Sequence, residues 1–378
     1  MQEKPIKIII SRTDNLGDVV LTLPLSGFLK SVCPTLKIYF IGKTYTKPII
    51  ESSRFVDVFL DREELLKSPQ KLTEINADAI IFVFPDKEIA KIAKKSNIPL
   101  RVGTSHRLFH WVYCNKLVNF SRKNSNLHET QLNFKLLKPL AKLLKINYLN
   151  KIIDNLKLED FSNFYGMEIP KIPTEKLKDF LKKDTKNNTF NLIFHPKSNG
   201  SAREWGLKNY TDLAKILHQN NLENNLENNS NNNNNKFHIF ITGTQAEGEI
   251  IRKELAKENH QNDIQLFDNQ YITDLTGKLS LTELLAFIGL ADGLLACSTG
   301  PLHIAAALGK YALGIYPPIK PMHPMRWQPL GEHAAYMCVE KICNDCKKTQ
   351  NCFCIREITP QQVADAIFNW KIDKLNKK

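Results

Sequence analysis

Residues 7–10, Lys-Ile-Ile-Ile, form a continuous apolar run of strand length. A run that is apolar on both faces suits the middle of a parallel sheet. Apolar positions then recur at about 3.6-residue spacing over 19–29, which predicts a helix. Further apolar runs over 36–41, 56–60, 79–84 and 99–103 predict strands, and Gly42 and Pro85 end two of them. Residues 129–144 have the pattern of one long amphipathic helix. This alternation of strand and helix argues a doubly wound α/β domain.

The pattern then starts again. Residues 170–188 are Lys-rich, contain Pro170 and Pro173, and form a candidate linker. A strand over 190–194 and a helix over 209–217 follow. The stretch 220–235 is dominated by Asn; it cannot bury a core and is expected to be a disordered surface loop. A strand over 237–241, a helix over 247–258 and a short strand near 264–266 resume the alternation. Ser280 with Glu283 reads as a capping box. Leu294 and Leu295 end another apolar run, and an Ala-rich helix begins near Pro301. Thr359-Pro360 opens a last helix reaching about residue 370. The expectation is an α/β protein of two facing Rossmann-like domains, 1–175 and 185–355, with a cleft between them. Residues 356–378 would be a closing helix that can pack back on the first domain.

A length of 378 residues agrees with two domains. No apolar run approaches the roughly 20 residues that span a bilayer, and the first one is too short for a signal peptide. A cytoplasmic protein is therefore expected. The net charge of +13 favours acidic partners, namely nucleic acid, anionic lipid or a phosphorylated substrate, although a Lys-rich surface also serves solubility alone. The lysines are dispersed and no Arg-rich tract occurs, which makes nucleic acid the weakest of the three. Five cysteines crowd the C-terminal end: Cys338, Cys343, Cys346, Cys352 and Cys354. A disulfide framework is not expected in the cytoplasm. Cys343 and Cys346 have zinc-ligand spacing, but Cys352 and Cys354 are separated by one residue. A structural metal stays open there, and no metal is assigned.

Candidate chemistry lies where strands turn into helices. The first turn, 11–24, lacks G-x-G-x-x-G, so the dinucleotide fingerprint is absent. Gly17 permits a tight turn, and Asp18 lands at a helix start on the carboxyl edge of the sheet. There it can take a proton from a hydroxyl, or simply cap the helix. In the second half, Lys197 and Arg203 follow a strand and are placed to meet phosphate, or are solvated surface charge. Glu247 follows a glycine turn and can accept a ribose hydroxyl, or cap its helix. The stretch Ser298-Thr299-Gly300-Pro301-Leu302-His303 is the most informative. Ser or Thr before Pro signals a helix start, whose free N–H groups and dipole attract an anion. Gly300 has no Cβ to hold a phosphate away. The alternative is a βα turn with no ligand.

Taken together, the Gly17–Thr22 turn, the Trp205 segment, the Leu275-Thr276-Gly277 loop and the 298–303 loop, in that order, resemble glycosyltransferase family 9, the ADP-heptose:lipopolysaccharide heptosyltransferases. The tail over 356–363 is also similar. The resemblance covers nearly the whole chain except the Asn-rich insert and 145–188. It implies the two-Rossmann GT-B fold, with acceptor bound mainly by the N-terminal half and nucleotide sugar mainly by the C-terminal half. It implies an inverting, metal-independent transfer that uses no cofactor. Asp18 matches the family's proposed general base, Arg203 a contact to the donor diphosphate and Glu247 a contact to the nucleoside. The 298–303 loop, with Ser298, Thr299, Gly300 and His303, matches donor phosphate and sugar contacts; Lys197 would help to stabilise the leaving diphosphate. The implied partners are a nucleotide-sugar donor and an acidic lipid-linked core oligosaccharide met at the inner membrane surface, with no nucleic acid. Arg101, His106 and Arg107 are candidate acceptor contacts, or solvated surface. The chain departs from the family pattern at Ser298, where several members carry Asp, and at Gly206, where Pro is common after the Trp. A nucleotide-sugar epimerase or hydrolase of the same fold, or a non-enzymatic nucleotide-binding protein, are the alternatives.

Overall fold

The computed structural model describes residues 4–123, 125–172, 175–181, 189–226, 236–257, 271–320, 322–341, 343 and 353–376. The chain divides after Pro170 into two units. In the first, six parallel strands form one sheet: β1 (Lys7–Ser11), β2 (Lys37–Gly42), β3 (Val58–Asp61), β4 (Ala79–Phe82), β5 (Leu100–Thr104) and β6 (Lys116–Val118). Their order is β3-β2-β1-β4-β5-β6. The Ile8-Ile9-Ile10 run is fully buried in β1, with Ile9 beside Tyr39 and Ile80. β6 is absent from the sequence pattern because three partly exposed edge residues carry no periodicity.

The second unit repeats the plan with β7 (Phe190–His195), β8 (Phe237–Ile241), β9 (Ile272–Asp274), β10 (Gly293–Cys297), β11 (Tyr311–Tyr316) and β12 (Ala334–Cys338). The order β12-β11-β10-β7-β8-β9 is the same topology counted from the other edge. β7 is central, with Leu192 beside Ile239 and Gly293. The closing helix Pro360–Asn376 buries Val363, Ala364, Ile367 and Trp370 in this unit's core. Trp205 anchors its start, donating from Nε1 to the Ile358 carbonyl at 2.8 Å. Gly206 follows with φ +99°, a conformation closed to proline.

Several elements differ from expectation for local reasons. The helix over 19–29 is two helices, Leu16–Val20 and Pro24–Val32, because Pro24 lacks an N–H and starts a new one. The helix over 129–144 is Glu129–Lys135 followed by a 3₁₀ turn, Lys138–Leu140, with Pro139 at the break. Within the expected linker, Glu175–Phe180 is helical, Leu177 is buried, and Phe180 meets Phe287 edge-on at 6.5 Å. The helix expected over 209–217 spans Leu207–Leu226 and runs into the Asn-rich stretch. Asn221 is not loop but a buried bracket: it donates to the Phe237 carbonyl at 3.0 Å and accepts from the Phe237 N–H at 2.8 Å. Residues 227–235, the expected strand near 264–266, Cys346 and Cys352 lie outside the described residues.

Asn221→Ala removes the side chain that brackets both backbone groups of Phe237 at the entry to β8. A loss of about 1–3 kcal/mol in unfolding free energy is expected by urea titration. A loss within error of zero would show that the bracket contributes nothing.

Candidate functional site

The strand order of each sheet reverses once, between β1 and β4 and between β7 and β10. Chains leaving these neighbouring strands turn to opposite sides, which opens a crevice at their carboxyl ends. Asp18 follows β1; Lys197 and Arg203 follow β7; Ser298 to His303 follow β10. Glu247 follows β8, and Arg101, His106 and Arg107 lie in or just after β5; the other sequence candidates lie at the reversal points of their own sheets.

In the first unit the chemistry centres on a residue the sequence did not single out. Arg12 leaves β1 fully enclosed, and its guanidinium serves three carboxylates. Nε donates to Asp14 at 2.8 Å, Nη1 to Glu129 at 3.0 Å, and Nη2 to Asp18. Glu129 is fully buried and is also met by Arg122 Nε at 2.9 Å. Arg122 reaches on to the Val83 carbonyl and to Asn133. Asp18 does not cap its helix: Asn15 holds the N-cap position, and the Asp18 carboxylate turns to Arg12 instead. Burial pushes the Asp18 carboxyl up to about 6; the neighbouring Asp14 and Glu129 charges push the same way, and Arg12 opposes them. Burial disfavours the Arg12 charge as well, but the three carboxylates together outweigh it and hold the guanidinium protonated. Gly17 lies within the first helix and is not among the residues with positive φ.

Beside Asp14 opens a cavity of about 460 Å³. Thr13 and Asp14 line it together with Lys43, Arg62, Asp86 and Lys87. Asp86 is held by Arg62 Nε at 2.6 Å and Thr13 Oγ1 at 3.1 Å. Arg101 is committed elsewhere: it donates to the carbonyls of Tyr113 and Ile98 and pins its own loop, while His106 and Arg107 are exposed.

In the second unit, Thr299 occupies the N-cap of the helix Gly300–Ala307 but makes no capping bond. Its hydroxyl is buried and, among the described residues, has no hydrogen-bond partner. Pro301 brings no N–H, so the amides of Gly300, Leu302 and His303 are the first donors of this helix end. Ser298 is hydrogen-bonded to the buried Tyr316, and His303 is buried within the helix. Arg203 is buried rather than solvated. Lys197 is paired with Glu254 at 2.9 Å and Glu204 at 3.3 Å. Glu247 is buried and forms a reciprocal cap with Thr244: its Oε2 accepts the Thr244 N–H at 2.7 Å, and its own N–H donates to Thr244 Oγ1 at 3.2 Å. His195, at the end of β7, donates to or accepts from Thr242 Oγ1 at 3.0 Å. Burial lowers its pKa to about 4, so it is neutral near pH 7. Cys338, Cys343 and Cys354 are free thiols, and the described residues hold no group of three or more His, Cys, Asp or Glu arranged for a metal.

Comparison with known proteins bears on this geometry. The family model described as glycosyltransferase family 9 (heptosyltransferase) matches residues 154–355. A Haemophilus influenzae protein provisionally named a glycosyltransferase is 26% identical over 336 residues, covering 86% of both chains. The structure of Escherichia coli ADP-heptose lps heptosyltransferase II shares the fold, with TM-score 0.70 at 15% identity over 98% of this chain and 99% of that one. Escherichia coli heptosyltransferase WaaC with ADP does so with TM-score 0.62 at 14% identity, covering 97% and 100%.

Arg12→Met leaves three buried or half-buried carboxylates facing Arg122 alone. A destabilisation of about 3–5 kcal/mol is expected, the cost of breaking a buried ionic cluster from one side. Denaturant unfolding with a loss under about 1 kcal/mol would show the cluster to be dispensable for the fold.

Proposed function

The chain belongs to glycosyltransferase family 9, and on that basis we propose that it moves a heptose, with inversion, from a nucleotide-diphosphate donor such as ADP-heptose to the lipopolysaccharide core. Inversion is a single displacement at the anomeric carbon. The acceptor oxygen forms its bond as the bond from that carbon to the diphosphate oxygen breaks, and the acceptor proton passes to a base. Asp18 is that base. The observation carrying this assignment is its carboxylate, desolvated and raised to about 6, poised to hold a proton near neutral pH without being locked in a helix cap. The cavity is lined by Lys43, Arg62 and Lys87 and equally by Asp14, Asp86 and Glu88, so it offers a glycan acceptor both donors and acceptors of hydrogen bonds.

The donor falls to the second unit. The leaving diphosphate gains negative charge, and no step requires a metal in this scheme. Arg203 and the N–H groups from Gly300 to His303 stabilise that charge, with the Thr299 hydroxyl as an added donor. Lys197 contributes less, since Glu254 and Glu204 already counter it. Glu247 receives a ribose hydroxyl on the oxygen left outside its cap, and Ser298 and His303 contact the sugar. The Escherichia coli proteins of like fold named above are an ADP-heptose heptosyltransferase and a heptosyltransferase with ADP, which favours an adenine nucleotide as donor.

Two measurements test this. Asp18→Asn is expected to lower turnover by about 10²–10⁴-fold in an assay run with EDTA, with donor affinity unchanged. The wild-type kcat/KM should fall as pH drops through about 6, where Asp18 takes up its proton. Because burial raises this carboxyl above its ordinary value, ionised Asp18 costs the fold stability above about 6 and nothing below the ordinary carboxylate range. The neutral variant should therefore be no less stable than wild type at pH 7. Undiminished turnover would refute the base. For the donor, Arg203→Ala is expected to weaken ADP binding by about 10- to 100-fold in calorimetry. An unchanged dissociation constant would remove Arg203 from the site.

A further inference from the structure

The helix Leu108–Tyr113 takes no part in the chemistry above, and its surface is unusual. One face packs inward: Phe109 and Tyr113 against the first core, with His110 fully buried. The other face presents Leu108, Trp111 and Val112, exposed by 89%, 64% and 57%. They stand at i, i+3 and i+4, so they form one apolar patch rather than scattered residues. The helix Lys87–Lys95 packs beside it and turns Lys91, Lys94 and Lys95 to solvent. The stretch 87–116 holds seven lysines and arginines against one carboxylate, Glu88. Lys94 Nζ donates to the Val112 carbonyl at 3.0 Å, which fixes a cation at the rim of the patch.

Trp111 adds a detail. Its Nε1 donates to the Ser105 carbonyl at 2.9 Å, so the indole's one polar group is satisfied within the chain. The ring can enter an apolar medium without carrying an unpaired donor, and the bond holds it in place.

We propose that this face docks on an anionic membrane surface, with Leu108, Trp111 and Val112 at the boundary of headgroups and acyl chains and the surrounding lysines on lipid phosphates. A second copy fits less well, since a two-fold contact would set two basic rims against each other. The contact is peripheral: among the described residues no helix is long and apolar enough to cross a membrane. The inference deepens the reading of a lipid-linked acceptor by naming the surface that meets the lipid, and it is tested without donor or acceptor.

The full-length protein is floated with phosphatidylglycerol–phosphatidylcholine vesicles and with phosphatidylcholine alone. Binding is expected to the anionic vesicles, weakening as salt rises. Brominated phosphatidylcholine in those vesicles should quench Trp111 fluorescence, and Trp111→Phe should abolish that quenching. Leu108→Gln with Val112→Gln, which leaves charge unchanged, should lower the partition coefficient about tenfold or more. Lys91→Gln with Lys95→Gln should lower it about fivefold or more. ADP affinity should be unchanged in both variants. The proposal falls if wild type binds anionic vesicles no better than neutral ones, or if the Leu108/Val112 variant floats like wild type. It falls equally if wild type self-associates in sedimentation through these two residues and ignores vesicles, which would make the occupant a second copy. Vesicle binding without sugar transfer would sink the functional reading alone; transfer to a delipidated acceptor without vesicle binding would sink the docking face alone.

Discussion

A guanidinium sealed among three carboxylates sets the character of the first unit. Arg12 cannot lose its proton, so its charge must be answered inside the protein. Asp14, Asp18 and Glu129 answer it, and Arg122 balances part of their excess through Glu129. The balance is incomplete: two cations face three carboxylates, and the shortfall falls on the members nearest water. Asp14 and Asp18 are both pushed upward, first by burial. Glu129, enclosed and doubly paired, is the anchor; Asp14 and Asp18 lie nearer the rim. The cluster also ties the end of β1 to the helix Glu129–Lys135, two segments far apart in the chain.

The repeated strand order explains why this cluster, after β1, and Lys197 and Arg203, after β7, occupy equivalent places in their own units. In both sheets the central strand, β1 or β7, has an apolar middle, Ile8 to Ile10 or Leu192 to Phe194; beyond Lys7 and Asn191 near the strand starts, polarity returns only at the last residue, Ser11 or His195. A buried parallel strand has no room for polar side chains, so chemistry is confined to the loops at its carboxyl end. The two units then diverge. The first fills the edge with an ionic cluster. The second presents a helix end, Thr299 to His303, whose amides and hydroxyl suit an anion.

That division was partly legible in the sequence. The Ile8-Ile9-Ile10 run, the 237–241 run and the Ser280–Glu283 box announce themselves because their signal is local: a periodicity, or a pair three residues apart. Helix ends at Pro24 and Pro139 were legible in principle, from the missing N–H. The Arg12 cluster was not. Arg12 and Asp14 are adjacent to Asp18, but Glu129 lies 117 positions away from Arg12, and no spacing rule links them. Arg203 and Lys197 looked alike in the chain; one proves buried, the other spoken for by Glu254, and only packing separates them. Thr299 was legible as a helix start and misleading as a cap. The position is right, and the expected bond is missing.

That missing bond and the raised Asp18 share a physical logic. An N-cap hydroxyl normally adds about 1 kcal/mol by binding its own helix, and an aspartate in the first turn normally gains from the dipole. Here Thr299 gives up its gain, and at Asp18, which stays in the first turn, burial outweighs it. Thr299 keeps its hydroxyl buried and unpartnered among the described residues, and Asp18 is ionised only against the cost of burial. Fully enclosed cores on both faces of each sheet can bear such losses, and folded proteins commonly carry them where a ligand supplies the missing partner. On the proposed function those partners are the donor phosphate for Thr299 and the acceptor proton for Asp18. Both sites are then ones that the reactants would relieve.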